Sequence, residues 1–329
     1  MTQKNQIEAI CLPISDQLER AEEILDESIR FTDVPLIREV AKYVIENGGK
    51  RFRTALAILS AKTCGFTGDS VAYLGAVVEL IHTASLIHDD VLDDADVRRG
   101  ATSANVKWGN HISVLVGDYC LGLANKILAD HTNWQVLKVI TDAATKTTEG
   151  EVLEVVSSNN LAMDVDAYLN IIEHKTAWLI AASCHAGAVL AEATPRLSEA
   201  LKNYGLNLGM AFQIKDDILD YTMESTKLGK NKGMDLKEGK MTLPLIYALS
   251  RCADKEKEII KESLFAPMHS NEHFESVIGI LREYHCAEDA LKKAEEYVRC
   301  AQAALAPFRP SLEKDSLVKF SDYVLNRRY

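Results

Sequence analysis

Several things are scarce in this 329-residue chain, and each scarcity removes a class of explanation. Positive charge is short: 37 Lys+Arg stand against 48 Asp+Glu, a formal charge of −11, which argues against a surface built to embrace nucleic acid or anionic lipid. Cysteine pairs are missing too. The seven cysteines at 11, 64, 120, 184, 252, 286 and 300 are odd in number and include no C-x-x-C, so they read as reduced thiols in the helix cores of a cytoplasmic protein. No signal-like apolar stretch opens the chain, and no uninterrupted run of ~18 apolar residues follows, so no transmembrane segment is expected. Proline is absent from the 159 residues between Pro35 and Pro195. Since proline removes a helix hydrogen bond and clashes with the preceding turn, that stretch is free to be helical throughout.

What is present agrees. With 47% hydrophobic and 26% charged residues the composition is that of an ordinary globular protein, not a disordered one. Apolar residues recur at three- and four-residue steps in VAYLGAVVELIHTASLIHDDV, HISVLVGDYCLGLANKILAD and YLNIIEHKTAWLIAASCHAGAVLAEA, the helical period rather than the strand period. Several of these stretches are apolar nearly all round, as helices buried among helices must be, with Ser183, Gly187, Gly205 and Gly209 allowing close approach. The expected class is all-α. A prior of ~150 residues per domain would divide the chain in two, but no low-complexity linker separates halves. A single domain over residues 1–329, of about a dozen helices, is therefore favoured, with residues 225–240 as the one long loop.

Two acidic motifs stand out: DDVLD at 89–93 and DDILD at 216–220. Residues four apart on a helix differ by about 40° in direction, so Asp89 shares a face with Asp93, and Asp216 with Asp220. Like charges so placed repel, and aspartate is a poor helix former, so two copies of an unfavourable arrangement ask for a compensating ligand. Hard carboxylate oxygens, completed by water and substrate phosphate, suit magnesium. One such motif is as readily a solvated acidic face; two, each fused to an apolar helix with cations nearby, are not. A di-iron centre, prompted by Glu79 and His82 in ELIH, would need a second Glu-x-x-His, and none is present.

Basic residues accompany the acids. Lys50, Arg51 and Arg53 lie in GGKRFR, Arg98 and Arg99 in VRRG, Lys175 follows His174, and Lys215, Lys230, Lys232, Lys237 and Lys240 flank or follow the second motif. Acids alone could bind calcium, and bases alone any anion; together they describe metal-bridged phosphate chemistry. The G-x-x-x-x-G-K-S/T loop of nucleotide hydrolases is missing. Diphosphate on a hydrocarbon substrate fits the apolar helical walls better.

In GGKRFR, LIHTASLIHDDVLDDADVRRG, VLVGDY, HKTA, GMAFQIKDDILDY and LGKNKGMDLKEGKMTLPL, taken in order, the chain resembles a trans-isoprenyl diphosphate synthase along essentially its whole length. The resemblance implies a single large helical bundle of isoprenoid-synthase type around a central substrate cavity, working as a homodimer with only transient membrane contact for product release. It implies that Asp89, Asp93, Asp216 and Asp220 hold magnesium on an allylic diphosphate, with Asp90 and Asp217 supporting. Arg98, Lys175, Thr176, Gln213, Lys230 and Lys240 would contact that diphosphate, and Lys50, Arg53, His82 and Arg99 the diphosphate of isopentenyl diphosphate. His82 also reads as a hydrogen-bonded core histidine.

Product length, by the same resemblance, is set along the helix below the first motif. Ala84 and Ser85 lie roughly 6 to 8 Å below Asp89, with Ile81 another turn down, and these residues leave the passage open for a long all-trans product of octaprenyl type. The alternatives are a farnesyl or geranylgeranyl synthase, a terpene cyclase, and a noncatalytic helical subunit. Two departures from the resembled pattern are Thr54, where proline is usual, and Glu154, where glutamine is common.

Overall fold

In the computed structural model, residues 3–222, 233–265 and 271–327 are described. They begin with α1 (Gln3–Cys11), α2 (Ser15–Arg30), α3 (Pro35–Glu46), α4 (Phe52–Thr63) and α5 (Ser70–Leu92). A two-stranded hairpin, β1 (Val97–Arg98) with β2 (Ala101–Thr102), precedes α6 (Ala104–Trp108), α7 (Asn110–His131) and α8 (Trp134–Ser157). Then come α9 (Val165–Ile172), α10 (Trp178–Leu190), α11 (Pro195–Thr222), α12 (Met234–Lys237) and α13 (Leu243–Arg251). The chain ends in α14 (Asp254–Leu264), α15 (Asn271–Glu283), α16 (Cys286–Ala304) and α17 (Leu312–Asn326). The fold is all-α.

Prolines mark helix starts: Pro35 and Pro195 are the first residues of α3 and α11, and Pro244 is the second of α13, positions where the missing N–H is not needed. More helices form than the dozen expected, for identifiable reasons. The continuous apolar stretch from Tyr168 is broken by a π-helical turn at Glu173–Ala177 between α9 and α10, and α6 and α12 are too short for periodicity to reveal. Of the loop expected at 225–240, residues 225–232 lie outside the described segments, and α12 occupies part of the remainder.

Two units cluster along the chain. The first comprises Met1–Ala144, Ile180–Gly205 and Ala304–Phe320. Its centre is α5, packed by α7, α4 and α2, with Leu74, Val77, Val78, Leu80 and Ile87 fully buried. Full burial of each such side chain is worth about 1.5–3 kcal/mol, so packing holds most of α5 in place. A Cβ on Gly187 would lie 2.4 Å from the Ala57 carbonyl oxygen, so the small residue is what lets α10 approach α4. Ser316 donates to the Ile10 carbonyl (2.7 Å) and Tyr204 to that of Leu317 (2.7 Å), tying the C-terminal segment to this unit.

The second unit comprises Thr145–Leu179, Leu206–Ala303 and Ser321–Tyr329, where α13 packs on α9 and α15, and α14 on α12 and α15. Gly209 meets the Ala177 backbone here; a Cβ would come within 2.5 Å.

The expectation that nothing could span a membrane is corrected in one respect: α5 and α7 are both long and apolar enough by length and composition. The apolarity of α5 has another use, since 72% of its most apolar window is buried within the protein, whereas for α7 the share is 39%. The cysteines also differ slightly from expectation, for Cys300 is exposed and Cys64 half-buried, while the other five are buried and all seven are free.

Candidate functional site

In the first unit, the acidic motif closes α5. The Asp93 N–H donates to the Asp89 carbonyl (2.8 Å), so the two side chains leave one face of the helix end one turn apart. That turn is the negative end of the helix dipole, which makes a carboxylate pair there doubly unfavourable without a cation. Asp90 is different. It is buried and ion-paired with Arg98, and burial raises its pKa against the pull of that guanidinium.

Arg98 is delivered by the β1–β2 hairpin. Arg99 (φ 53°) and Gly100 (φ 82°) both take positive φ, the backbone of a type I′ turn. A Cβ on Gly49 would sit 2.8 Å from an Arg99 nitrogen, so the glycine leaves room for that guanidinium and GGKRFR meets VRRG within one unit. Burial lowers the Arg99 pKa.

Lys50 is exposed, while Arg51 (φ 49°) turns inward to Glu22 and to Glu79 (2.7 Å). Thr54 also donates to Glu79 (3.2 Å), so this glutamate is committed to Arg51 and Thr54 rather than offered to iron. Arg53 donates to His82 Nε2 (3.2 Å). Because arginine keeps its protons, this bond fixes the neutral tautomer with hydrogen on Nδ1. Burial first, and Arg53 and Arg99 next, hold the His82 pKa well below its ordinary value.

A folded-state pKa below the unfolded one stabilises the protein above about pH 6.5, and the stability is lost as pH falls through that value. His82→Gln is therefore expected to flatten the acid limb of stability by up to ~1.4 kcal/mol per pH unit as pH falls below about 6.5. Denaturant unfolding at several pH values checks this; parallel wild-type and variant curves would refute it. Further up the helix, Ala84 is fully buried and Ile81 nearly so, while Ser85 is half-buried and donates to the His82 carbonyl (2.9 Å).

In the second unit, α11 carries Gln213, Asp216, Asp217 and Asp220. Asp217 is buried and accepts from the Tyr168 hydroxyl (2.6 Å) and Gln213 Nε2 (2.7 Å), and Thr176 donates to Gln213 Oε1 (2.8 Å). Burial pushes Asp217 up to about 7, although both donors pull the other way. Asp216 is half-exposed and pairs with Arg327 (3.1 Å), whose guanidinium also lies 3.9 Å over the Phe212 ring. Asp220 accepts from the Met234 (3.3 Å) and Asp235 (3.1 Å) N–H groups at the start of α12. Each motif thus has one aspartate buried and bonded and two held one helical turn apart.

Lys175 and Thr176 belong to the π-helical turn, a local widening frequent at functional sites. Lys175 Nζ pairs with Glu151 (2.7 Å) and Glu154, and Lys240 with Glu238 (2.6 Å) and Glu154 (3.7 Å). Burial alone would lower the Lys175 pKa, but Glu154 and Glu151 outweigh it and raise it. Backbone contact fixes this turn: a Cβ on Gly150 would lie 2.2 Å from the Lys175 nitrogen. Gly150→Ala is accordingly expected to cost ~1–3 kcal/mol or more of stability, read from a denaturant midpoint, because main chain rather than a flexible side chain must yield. An unchanged midpoint would refute the close approach. Lys230 lies outside the described residues.

Tyr168, Arg327, Glu151 and Glu238 were not anticipated as partners. No local motif in the sequence marks them. Among the described residues no three His, Cys, Asp or Glu side chains form a ready metal cage. The donor set is all oxygen, and a pair of carboxylates per motif is what magnesium takes when substrate phosphate and water complete its shell.

Comparison with known proteins bears on this geometry. A family model described as polyprenyl synthetase matches residues 34–281. Octaprenyl diphosphate synthase of Haemophilus influenzae is 37% identical over 91% of this chain and 90% of that protein. The all-trans-nonaprenyl-diphosphate synthase (geranyl-diphosphate specific) of Rhodobacter capsulatus is 36% identical over 97% of both. Among solved structures, a polyprenyl synthase from Caulobacter crescentus CB15, complexed with calcium and isoprenyl diphosphate, superposes with a TM-score of 0.93 at 35% identity, covering 99% of this chain and 98% of that one. With paired aspartate motifs on an all-α scaffold and likeness of this extent, the chain belongs to the polyprenyl synthetase family of prenyl-transferring enzymes.

Proposed function

We propose that this chain adds isopentenyl diphosphate repeatedly to an allylic diphosphate and releases a long-chain all-trans polyprenyl diphosphate of octaprenyl type. The observation that carries the reading is the doubled aspartate motif, each copy with its central carboxylate buried against protein donors and its outer pair one turn apart. The octaprenyl and nonaprenyl names of the relatives support a long product, and the ligands of the Caulobacter structure support an isoprenyl diphosphate on a hard divalent cation.

Asp89, Asp93, Asp216 and Asp220 would hold magnesium, with Asp90 and Asp217 fixing the motifs from behind. When bound, the ion supplies Lewis-acid stabilisation of the departing diphosphate. Arg98, Lys175 and Lys240 add fixed positive charge to the same group, Thr176 and Gln213 orient it, and Lys230 is assigned with them. Lys50, Arg53, His82 and Arg99 hold the second diphosphate. The allylic carbon–oxygen bond breaks, the double bond of isopentenyl diphosphate attacks the cation, and the proton lost passes to the released diphosphate. Apolar walls exclude the water that would quench the cation.

The assembly side of the reading is one domain over 1–329, working in the cytoplasm as a homodimer. The family match runs through both units, and α7 keeps Leu115 and Val114 exposed on an apolar helix that a second copy would cover. Purified chain alone should incorporate labelled isopentenyl diphosphate into an allylic primer, and a chelator should stop it. No incorporation by folded protein would favour a noncatalytic subunit.

A further inference from the structure

Among the described residues, Glu154 is a carboxylate that pairs with both of the lysines that the proposed reaction gives to the allylic diphosphate. Its oxygen pairs with Lys175 and stands 3.7 Å from Lys240. Each lysine already has another partner, Glu151 at 2.7 Å for Lys175 and Glu238 at 2.6 Å for Lys240. Each ammonium therefore keeps one ion partner when Glu154 lets go. The five side chains are about equally sheltered, between 19% and 22% exposed, so solvent screens the group only in part. Three carboxylates against two ammoniums leave the cluster with surplus negative charge, an unfavourable reception for a diphosphate.

We propose that Glu154 is an internal competitor for diphosphate: its carboxylate occupies the Lys175–Lys240 pair, yields it to the substrate's diphosphate, and returns as inorganic diphosphate departs. Glu154 is on this account a positioning residue that sets how tightly the lysines grip an anion. A chain that condenses repeatedly liberates diphosphate in every cycle, and a carboxylate waiting at the same two ammoniums loosens that product's hold. The inference rests on the assignment of Lys175 and Lys240 to the allylic diphosphate.

The test uses the full chain with magnesium, wild type against Glu154→Gln, which keeps the volume and a hydrogen-bonding group but removes the charge. Inorganic diphosphate is titrated calorimetrically, and its inhibition constant is measured against the allylic substrate. The variant should bind inorganic diphosphate about tenfold more tightly and show a lower KM for the allylic diphosphate, because a charge-assisted competitor has been removed. The KM for isopentenyl diphosphate should stay within about twofold, since its proposed contacts lie elsewhere. In a Lys240→Gln background the gain should shrink to less than half, a coupling that a merely structural glutamate would not show.

Equal or weaker binding by Glu154→Gln with an unchanged melting curve would overturn the inference, and Glu154→Ser is to be read in its place if the glutamine variant fails to fold. Failure of the wild type both to condense substrates and to bind inorganic diphosphate would overturn the functional reading together with the inference. A wild type that condenses normally beside an unaltered variant would overturn the inference alone.

Discussion

Asp89→Ala and Asp216→Ala are each expected to lower condensation turnover by roughly 10³-fold or more, the scale of losing a group that stabilises developing charge on a leaving group. Their effects on stability should part company. Asp89 lies in the last turn of α5, one turn before Asp93, so its removal also relieves like-charge repulsion at the negative end of a helix dipole, and the net change should stay within ~1 kcal/mol. Asp216 is the ion partner of Arg327, a side chain only 8% exposed, and its loss leaves that guanidinium poorly compensated. Because Asp216 itself is half-exposed, solvent discounts the pair, and a loss of about 1 kcal/mol is expected. Steady-state kinetics and denaturant melts on both variants check this. Near-normal turnover in either would remove the metal assignment.

Ser85→Phe is expected to shorten the product to farnesyl or geranylgeranyl length while condensation itself continues. Ser85 lies one helical turn, about 6 Å, before Asp89, and it retains accessible surface where Ala84 has none. The comparison with Ala84→Phe is informative. Forcing a ring into a fully buried alanine site should cost ~1–3 kcal/mol through overpacking, so that variant reports on folding as much as on chain length. Chromatography of the dephosphorylated products distinguishes the outcomes. An unchanged product from Ser85→Phe would move the length-determining surface away from this residue.

The sequence made the helical class plain because period and proline placement are local properties. Asp89 and Asp93, or Asp216 and Asp220, could be paired on paper because four residues make one turn. What stayed hidden were partnerships across long separations. Nothing in YLNII announces that Tyr168 will donate to a carboxylate 49 residues later, and Arg327 meets Asp216 only once the chain has folded. The π-helical turn that carries Lys175 and Thr176 was read as continuous helix, since one extra residue in a turn barely disturbs a three-four apolar pattern. Glu154 was legible as a departure but not as a partner of two lysines, because charge pairing in a folded unit depends on approach of elements that sequence spacing does not encode.

The central claim is repeated head-to-tail condensation to a long product. Purified chain incubated with magnesium, isopentenyl diphosphate and farnesyl diphosphate should yield, after removal of the diphosphate, an all-trans prenyl alcohol of octaprenyl type. Release of only farnesyl or geranylgeranyl alcohol, or no condensation by folded protein, would contradict it.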